Sequence, residues 1–284
     1  VNPSRAPRPD WLKVRAPSGM RVEEVSGTLS RHGLRTVCRE ARCPNVGECW
    51  GAGTATVILL GDVCTRGCAF CFVSAGAPAP PDPSEPDRVA RAAAELSWRH
   101  VVVTSVTRDD LPDGGAAHFA AVVRALRREA PGAAVELLVP DFAGNVDALR
   151  CVVDAAPDIL AHNVETVPRL YPSVRKGAAY DRSIDLLRRA AAMRPSLPLK
   201  SGIMVGFGET GEEVTAVFRD LFSAGCRSIT VGQYLPPSRD HLPLSEYVSP
   251  ERFDLLAKEA RGIGFVRVLA GPLVRSSYYL QSRA

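Results

Sequence analysis

Residues 54–71 read TATVILLGDVCTRGCAFC. An apolar, β-branched run from Thr56 to Leu60 meets a Gly61-Asp62 turn and then three cysteines, Cys64, Cys68 and Cys71. The run is continuous rather than alternating, the pattern of a strand buried on both faces of a parallel sheet. Downstream the same rhythm returns, a short β-branched run, a loop with Gly or Asp, and an amphipathic helix, about six times in all. Strands are expected at 56–60, 100–105, 135–139, 159–164, 199–205 and 228–235, and helices at 86–96, 115–129, 146–155, 182–193, 211–224 and 250–261. Thr210 and Glu213 have capping-box spacing, and Val214, Val217, Phe218, Leu221 and Phe222 form one apolar stripe before Gly225. Ser249 is a natural N-cap ahead of Pro250, with Gly262 expected just past that helix.

Strand-helix alternation implies an α/β fold with helices over a parallel sheet, and six units are too few for a closed eight-stranded barrel. The expected architecture is a partial (β/α)6 TIM-type barrel over residues 56–264, with an N-terminal extension (1–55) and a C-terminal one (265–284). A doubly wound sheet has the same rhythm, and periodicity alone does not separate the two. In either, the site lies at the C-terminal ends of the strands.

The 284 residues, 46% hydrophobic and 23% charged, suffice for one large domain. The net charge of +4 is small, no block of basic residues occurs, and only Lys13, Lys176, Lys200 and Lys258 are lysines, so nucleic acid is not an expected partner. No apolar run is long enough to span a bilayer, and the basic, proline-rich start lacks the apolar core of a secretion signal, so a cytosolic protein without a membrane partner is expected. Eight cysteines in a reducing compartment point to metal or redox chemistry rather than disulfides.

Six of those cysteines fall within residues 38–71. Cys64, Cys68 and Cys71, spaced C-x-x-x-C-x-x-C, can hold three irons of a four-iron cluster and leave the fourth open to a chelating ligand. Cys38, Cys43 and Cys49, spaced C-x-x-x-x-C-x-x-x-x-x-C, suit a second cluster with one unusual ligand. A zinc site is the competing reading of each group. Cys151 and Cys226 lie far from both and read as buried apolar residues. The five histidines show no metal spacing; His162 adjoins Asn163 and Glu165, which alternate on a strand and so share a face, where they could meet a cofactor or substrate. Gly206 and Gly208 could cradle a phosphate or simply make a tight turn.

The Cys64–Cys71 loop, placed after the first strand and with Phe70 before its last cysteine, resembles the signature of the radical S-adenosylmethionine superfamily. The upstream Cys38, Cys43, Cys49 spacing, together with Arg275-Ser276-Ser277-Tyr278, resembles lipoyl synthases more specifically. Further matching segments are Trp11–Val14, Thr104–Gly115, His162–Thr166, Lys200–Gly206 with Gly208–Thr210, and Gly232–Leu235; four of these five end a predicted strand. Pro236-Pro237 and Tyr279-Leu280 depart from the family pattern.

The resemblance implies two [4Fe-4S] clusters and S-adenosyl-L-methionine. Cys64, Cys68 and Cys71 would hold the cluster that cleaves the cofactor. Cys38, Cys43, Cys49 and Ser277, with Ser276 as the fallback, would hold an auxiliary cluster whose sulfides pass into the product. Asn163 and Glu165 would meet the methionine end of the cofactor or the substrate. The implied reaction inserts two sulfur atoms at the sixth and eighth carbons of an octanoyl-lysine chain on a lipoyl carrier domain or the glycine-cleavage carrier protein. Flavodoxin or ferredoxin would be the reductant, and an iron-sulfur cluster carrier a further partner. Another sulfur-inserting or methylthio-transferring radical enzyme would share the Cys64–Cys71 loop but not the upstream spacing with Arg275–Tyr278. An iron-sulfur electron carrier would want four thiolates per cluster.

Overall fold

The computed structural model describes residues 8–14, 16–41 and 43–278. Among them the chain packs as two compact units, one of residues 14–65, 73–160 and 277–278, the other of residues 8–13, 66–72 and 161–276.

In the first unit, helix α1 (Met20–Arg31) precedes strand β1 (Arg35–Thr36), the short helices α2 (Val37–Glu40) and α3 (Val46–Gly51), and β2 (Thr56–Leu59). Two-residue strands β3 (Val63–Cys64) and β4 (Ser74–Ala75) pair in parallel beyond it. Then follow α4 (Glu85–Glu95), β5 (His100–Ser105), α5 (Ala116–Glu129), β6 (Ala134–Leu138) and α6 (Val146–Asp154). The strands lie in the order β1-β2-β5-β6, with β1 antiparallel and the rest parallel. Val57, Leu59, Val101 and Val103 are fully buried, as the unbroken apolar runs require. Helix α6 starts at Asn145, whose side chain accepts from the Asp147 and Ala148 amides, satisfying two donors that a helix start leaves open.

Beyond β2 the backbone turns sharply, because Leu60 takes φ 67°, a left-handed conformation uncommon outside glycine. Three groups hold it there. Its N–H donates to Glu85 Oε2 at 2.9 Å, its carbonyl accepts from Arg108 Nη1 at 3.4 Å, and Gly115 makes room, since a Cβ at 115 would lie 2.4 Å from Leu60 Cδ1. This turn aims the chain into the cysteine loop.

Strand β7 (Ile159–Ala161) carries the chain across to the second unit, which contains α7 (Tyr171–Val174), α8 (Tyr180–Met193), β8 (Leu199–Val205), α9 (Gly211–Ser223), β9 (Ser228–Gln233), α10 (Pro250–Ile263) and β10 (Arg267–Gly271). Strands β8, β9 and β10 are adjacent and parallel. In neither unit does the strand order reverse, whereas a doubly wound sheet reverses at its switch point.

The expected caps are present: Thr210 and Glu213 form the capping box of α9, and Ser249 caps α10. Helix α10 passes through Gly262 and stops at Gly264, whose φ of 121° only glycine adopts cheaply. The strand expected over 159–164 ends at Ala161. His162 and Val164 still donate to the Lys200 and Gly202 carbonyls, but Glu165 turns to φ 66°, which breaks the pleat.

Candidate functional site

Cys38 lies on α2, Cys43 just beyond it and Cys49 on α3. The segment is tied to itself by the Cys43 amide donating to the Cys38 carbonyl at 3.1 Å, and by the Thr54 amide and hydroxyl donating to the Cys49 carbonyl at 2.8 and 3.0 Å. Thr36 caps α2 through the Arg39 amide. Burial pushes the Cys49 thiol up to about 12, and Cys38 and Cys43 add to the rise; burial and then Cys43 also push Cys38 up. Thiols close enough to oppose the ionisation of Cys38 and Cys49 suit a cationic metal core, whose charge reverses that penalty. Among the described residues no three His, Cys, Asp or Glu side chains are grouped to hold one metal ion. Thiolates that each bind a different iron of a cluster need not converge on a point.

The tail reaches the same region. Tyr278, next to Ser277, hydrogen-bonds Glu48 through its hydroxyl; burial and then Glu48 hold the phenol above its usual range, with Cys49 and Cys43 adding to the effect. Ser277 and Tyr278 fall in the same compact unit as Cys38, Cys43 and Cys49. Residues 279 and 280, where the tail departs from the family pattern, lie outside the described residues.

Cys64 ends β3, and its Sγ accepts the Thr107 amide at 3.3 Å. Cys68 and Cys71 form a turn, the Cys71 amide donating to the Cys68 carbonyl at 3.0 Å. That turn belongs to the second unit and is held within it by three hydrogen bonds. The Ala69 amide donates to the Val174 carbonyl, the Ala69 carbonyl accepts from Leu242, and the His241 Nε2–H donates to the Cys71 carbonyl at 3.0 Å. Phe70 packs on a cluster of Val174, Phe207, Tyr234 and Leu244.

Asn163 Nδ2 donates to Glu165 Oε1 at 3.0 Å, so the two side chains do lie together, although the strand on which they were expected to alternate has already ended at Ala161. Asn163 Oδ1 is buried and has no hydrogen-bond partner among the described residues, an acceptor that suits an ammonium or hydroxyl donor. Gly202 makes this possible: a Cβ there would lie 2.8 Å from Asn163 Oδ1 and 2.7 Å from Thr230 Oγ1. Burial raises the Glu165 carboxyl, against the opposing pull of Arg175 and Asn163. Gly206 and Gly208 make a tight turn, with φ 107° and 97°. The amides of Gly206 and Phe207 donate to Glu209 at 2.6 and 2.9 Å, so a carboxylate of the chain itself fills the place a phosphate would take. At β9, a Cβ on Gly232 would lie 2.2 Å from the Val274 carbonyl oxygen, so the tail crosses that strand at backbone contact.

Residues 58–221 match the radical SAM superfamily model. Over 278 residues the chain is 54% identical to the lipoyl synthase of Methylococcus capsulatus, covering 98% of this chain and 86% of that one. The chain belongs to the lipoyl synthase family. The lipoyl synthase of Rubrobacter xylanophilus is 53% identical over 272 residues, covering 96% of this chain and 85% of the relative. Among solved structures, methylornithine synthase aligns with TM-score 0.54 at 14% identity, over 92% of this chain and 86% of that one. Streptococcus suis SuiB bound to its precursor peptide SuiA aligns with TM-score 0.60 at 12% identity, over 88% of this chain; the chain spans about half, 52%, of that protein's length. These likenesses give the fold: the α/β partial barrel of radical SAM enzymes. Superfamily membership carries with it a [4Fe-4S] cluster and S-adenosylmethionine.

Several residues that shape this candidate site lack a signal in the sequence. His241 stands 170 positions from Cys71 and reaches a main-chain oxygen. Arg175 donates to Tyr171 and Ser183 at 3.0 and 2.9 Å and acts electrostatically on Glu165 and Cys68, yet it is one of 35 basic residues. Of the two outlying cysteines, Cys226 is fully buried as expected, whereas Cys151 is half-buried, because it faces away from the apolar stripe of α6.

Proposed function

We propose that this chain inserts two sulfur atoms, at the sixth and eighth carbons, into an octanoyl group held in amide linkage on a lysine of a lipoyl carrier domain or the glycine-cleavage carrier protein, giving the lipoyl group. Cys64, Cys68 and Cys71 hold the cluster that binds S-adenosylmethionine. Cys38, Cys43, Cys49 and Ser277 hold a second, auxiliary cluster. When bound, the first cluster and S-adenosylmethionine supply a primary carbon radical able to break an unactivated C–H bond, and the second supplies sulfur. Residues 1–55 and 265–284 are then extensions to the barrel of residues 56–264, each bringing auxiliary ligands.

The observation that carries this reading is the placement of Ser277 and Tyr278 in the same compact unit as Cys38, Cys43 and Cys49, at the opposite end of the chain. A serine oxygen is a hard, weak ligand for iron beside thiolate, suited to a cluster that is taken apart during turnover. Asn163 and Glu165 supply a carbonyl and a carboxyl to the amino-acid end of the cofactor. Flavodoxin or ferredoxin serves as reductant and a cluster carrier restores the auxiliary site. The need for free thiols places the protein in the cytosol. Among the described residues no helix is long and apolar enough to cross a membrane.

The test is an anaerobic reaction of reconstituted protein with S-adenosylmethionine, dithionite and an octanoyl-lysine peptide, read by mass spectrometry, for wild type and Cys43→Ala. Two sulfurs gained by the wild type and none by the variant, with 5′-deoxyadenosine released by both, is the expected result. Cofactor cleavage without sulfur gain by the wild type would overturn the substrate assignment.

A further inference from the structure

The segment Thr107–Asp110 follows β5 and lies against the start of the cysteine loop, 43 residues upstream. Thr65, next to Cys64, is stitched to it three times. Its amide and its hydroxyl both donate to the Thr107 carbonyl at 3.0 Å, and its Oγ1 accepts the Asp109 amide at 3.1 Å. With these bonds in place the Thr107 amide points at Cys64 Sγ, 3.3 Å away. The segment is itself braced. Arg108, 1% exposed, forks onto Asp110 through Nε and Nη2 at 2.9 and 2.8 Å and donates its third nitrogen to the Leu60 carbonyl, ahead of the same loop. Leu60 and Thr65 are thus both fixed to one rigid segment, with Cys64 between them.

We infer that Thr65 is a positioning residue that holds the Thr107 amide on Cys64 Sγ and so sets the reduction potential of the cluster bound there. The inference rests on the assignment of Cys64 as an iron ligand. An N–H donor to a ligating sulfur stabilises the more electron-rich, reduced state and raises the potential. The Thr65 side chain both donates to and accepts from the backbone around that amide. Valine has nearly its shape but neither side-chain hydrogen bond, so of the three bonds only that of the residue-65 amide to the Thr107 carbonyl remains, and the Thr107 amide is held less firmly on Cys64 Sγ. Serine keeps both.

The experiment compares holoenzymes of wild type, Thr65→Val, Thr65→Ser and Cys64→Ala by EPR during a reductive titration, following the signal that changes when S-adenosylmethionine is added. Thr65→Val is expected to lower the midpoint so that the reduced-to-oxidised ratio at a fixed potential falls about tenfold, about 59 mV for one electron. Thr65→Ser should titrate with the wild type. A loaded Thr65→Val with an unchanged midpoint overturns the inference. Loss of the responsive signal in Cys64→Ala supports the underlying ligand assignment, and its survival overturns that assignment and with it the inference. Should Thr65→Val fold or load poorly, replacing the residue-107 amide by an ester, through the α-hydroxy acid, deletes the N–H itself. The same downward shift then supports the role of that bond, and no shift overturns it.

Discussion

Substituting Gly232→Ala places a methyl group where the tail crosses β9. The added Cβ would lie 2.2 Å from the Val274 carbonyl oxygen and 3.2 Å from its carbon. Carbon and oxygen in contact stay about 3.3 Å apart or more, so something must give by about 1 Å. Strand β9 is the less able to move, because Gly232 is in register with Met204 of β8 and Gly271 of β10. The tail has no such pairing on both sides; among its bonds are the Val274 amide on the Gly271 carbonyl at 3.1 Å and Arg275 on the Pro272 and Val274 carbonyls, which are local to the tail itself. The tail therefore shifts, and Ser277, three residues on, shifts with it. Overpacking of this kind costs about 1–3 kcal/mol if it is resisted. If it is relieved by displacement, about 1 Å at a reacting group lowers the rate on the order of 100-fold. The assay is sulfur gain by an octanoyl-lysine peptide together with 5′-deoxyadenosine release. The expected result is a loss of sulfur insertion on that order with release largely kept. Sulfur insertion within about threefold of wild type, well short of that factor, would refute the argument that the tail's path positions the serine.

Three further outcomes are expected. Glu213 accepts Arg169 and the Thr210 amide, and Arg169 first of all draws its carboxyl down to about 2 from the usual 4.5. A depressed carboxylate stabilises the fold above its unfolded value and loses that contribution as pH falls toward the folded one. The difference in Tm between wild type and Glu213→Gln should therefore be full at neutral pH and shrink below about 4.5. Glu165 has the opposite sign: burial raises it, so the folded chain binds the proton more tightly and stability falls as pH rises above the usual 4.5. Glu165→Gln should melt above the wild type at neutral pH and converge with it in acid, read by thermal melts across pH. Tyr278→Phe removes the hydroxyl on Glu48 and should slow sulfur insertion by about tenfold or less, the worth of one hydrogen bond of about 1 kcal/mol, with release of 5′-deoxyadenosine unchanged.

The periodic elements were legible in the sequence because their causes are local. A buried parallel strand shows as an unbroken apolar run, an amphipathic helix as a stripe, and a cap as two residues three apart, as at Thr210 and Glu213. Helix α10 ends two residues beyond the end expected from the sequence, because Gly262 and Gly264 are equivalent to any local rule. Only the backbone φ of 121° at Gly264 separates them.

The cysteine spacings were likewise legible, since candidate ligands on one short loop announce themselves by type and distance along the chain, and with Arg275–Tyr278 and the further matching segments they carried the resemblance to the family. Tertiary structure decided what holds those cysteines and the tail in place. The Thr107 amide on Cys64, His241 on the Cys71 carbonyl and the Val274 carbonyl over Gly232 all involve main-chain atoms, which every residue carries and no sequence pattern marks. Their partners lie 43, 170 and 42 positions apart, so only the folding of distant strands beside one another brings them within reach.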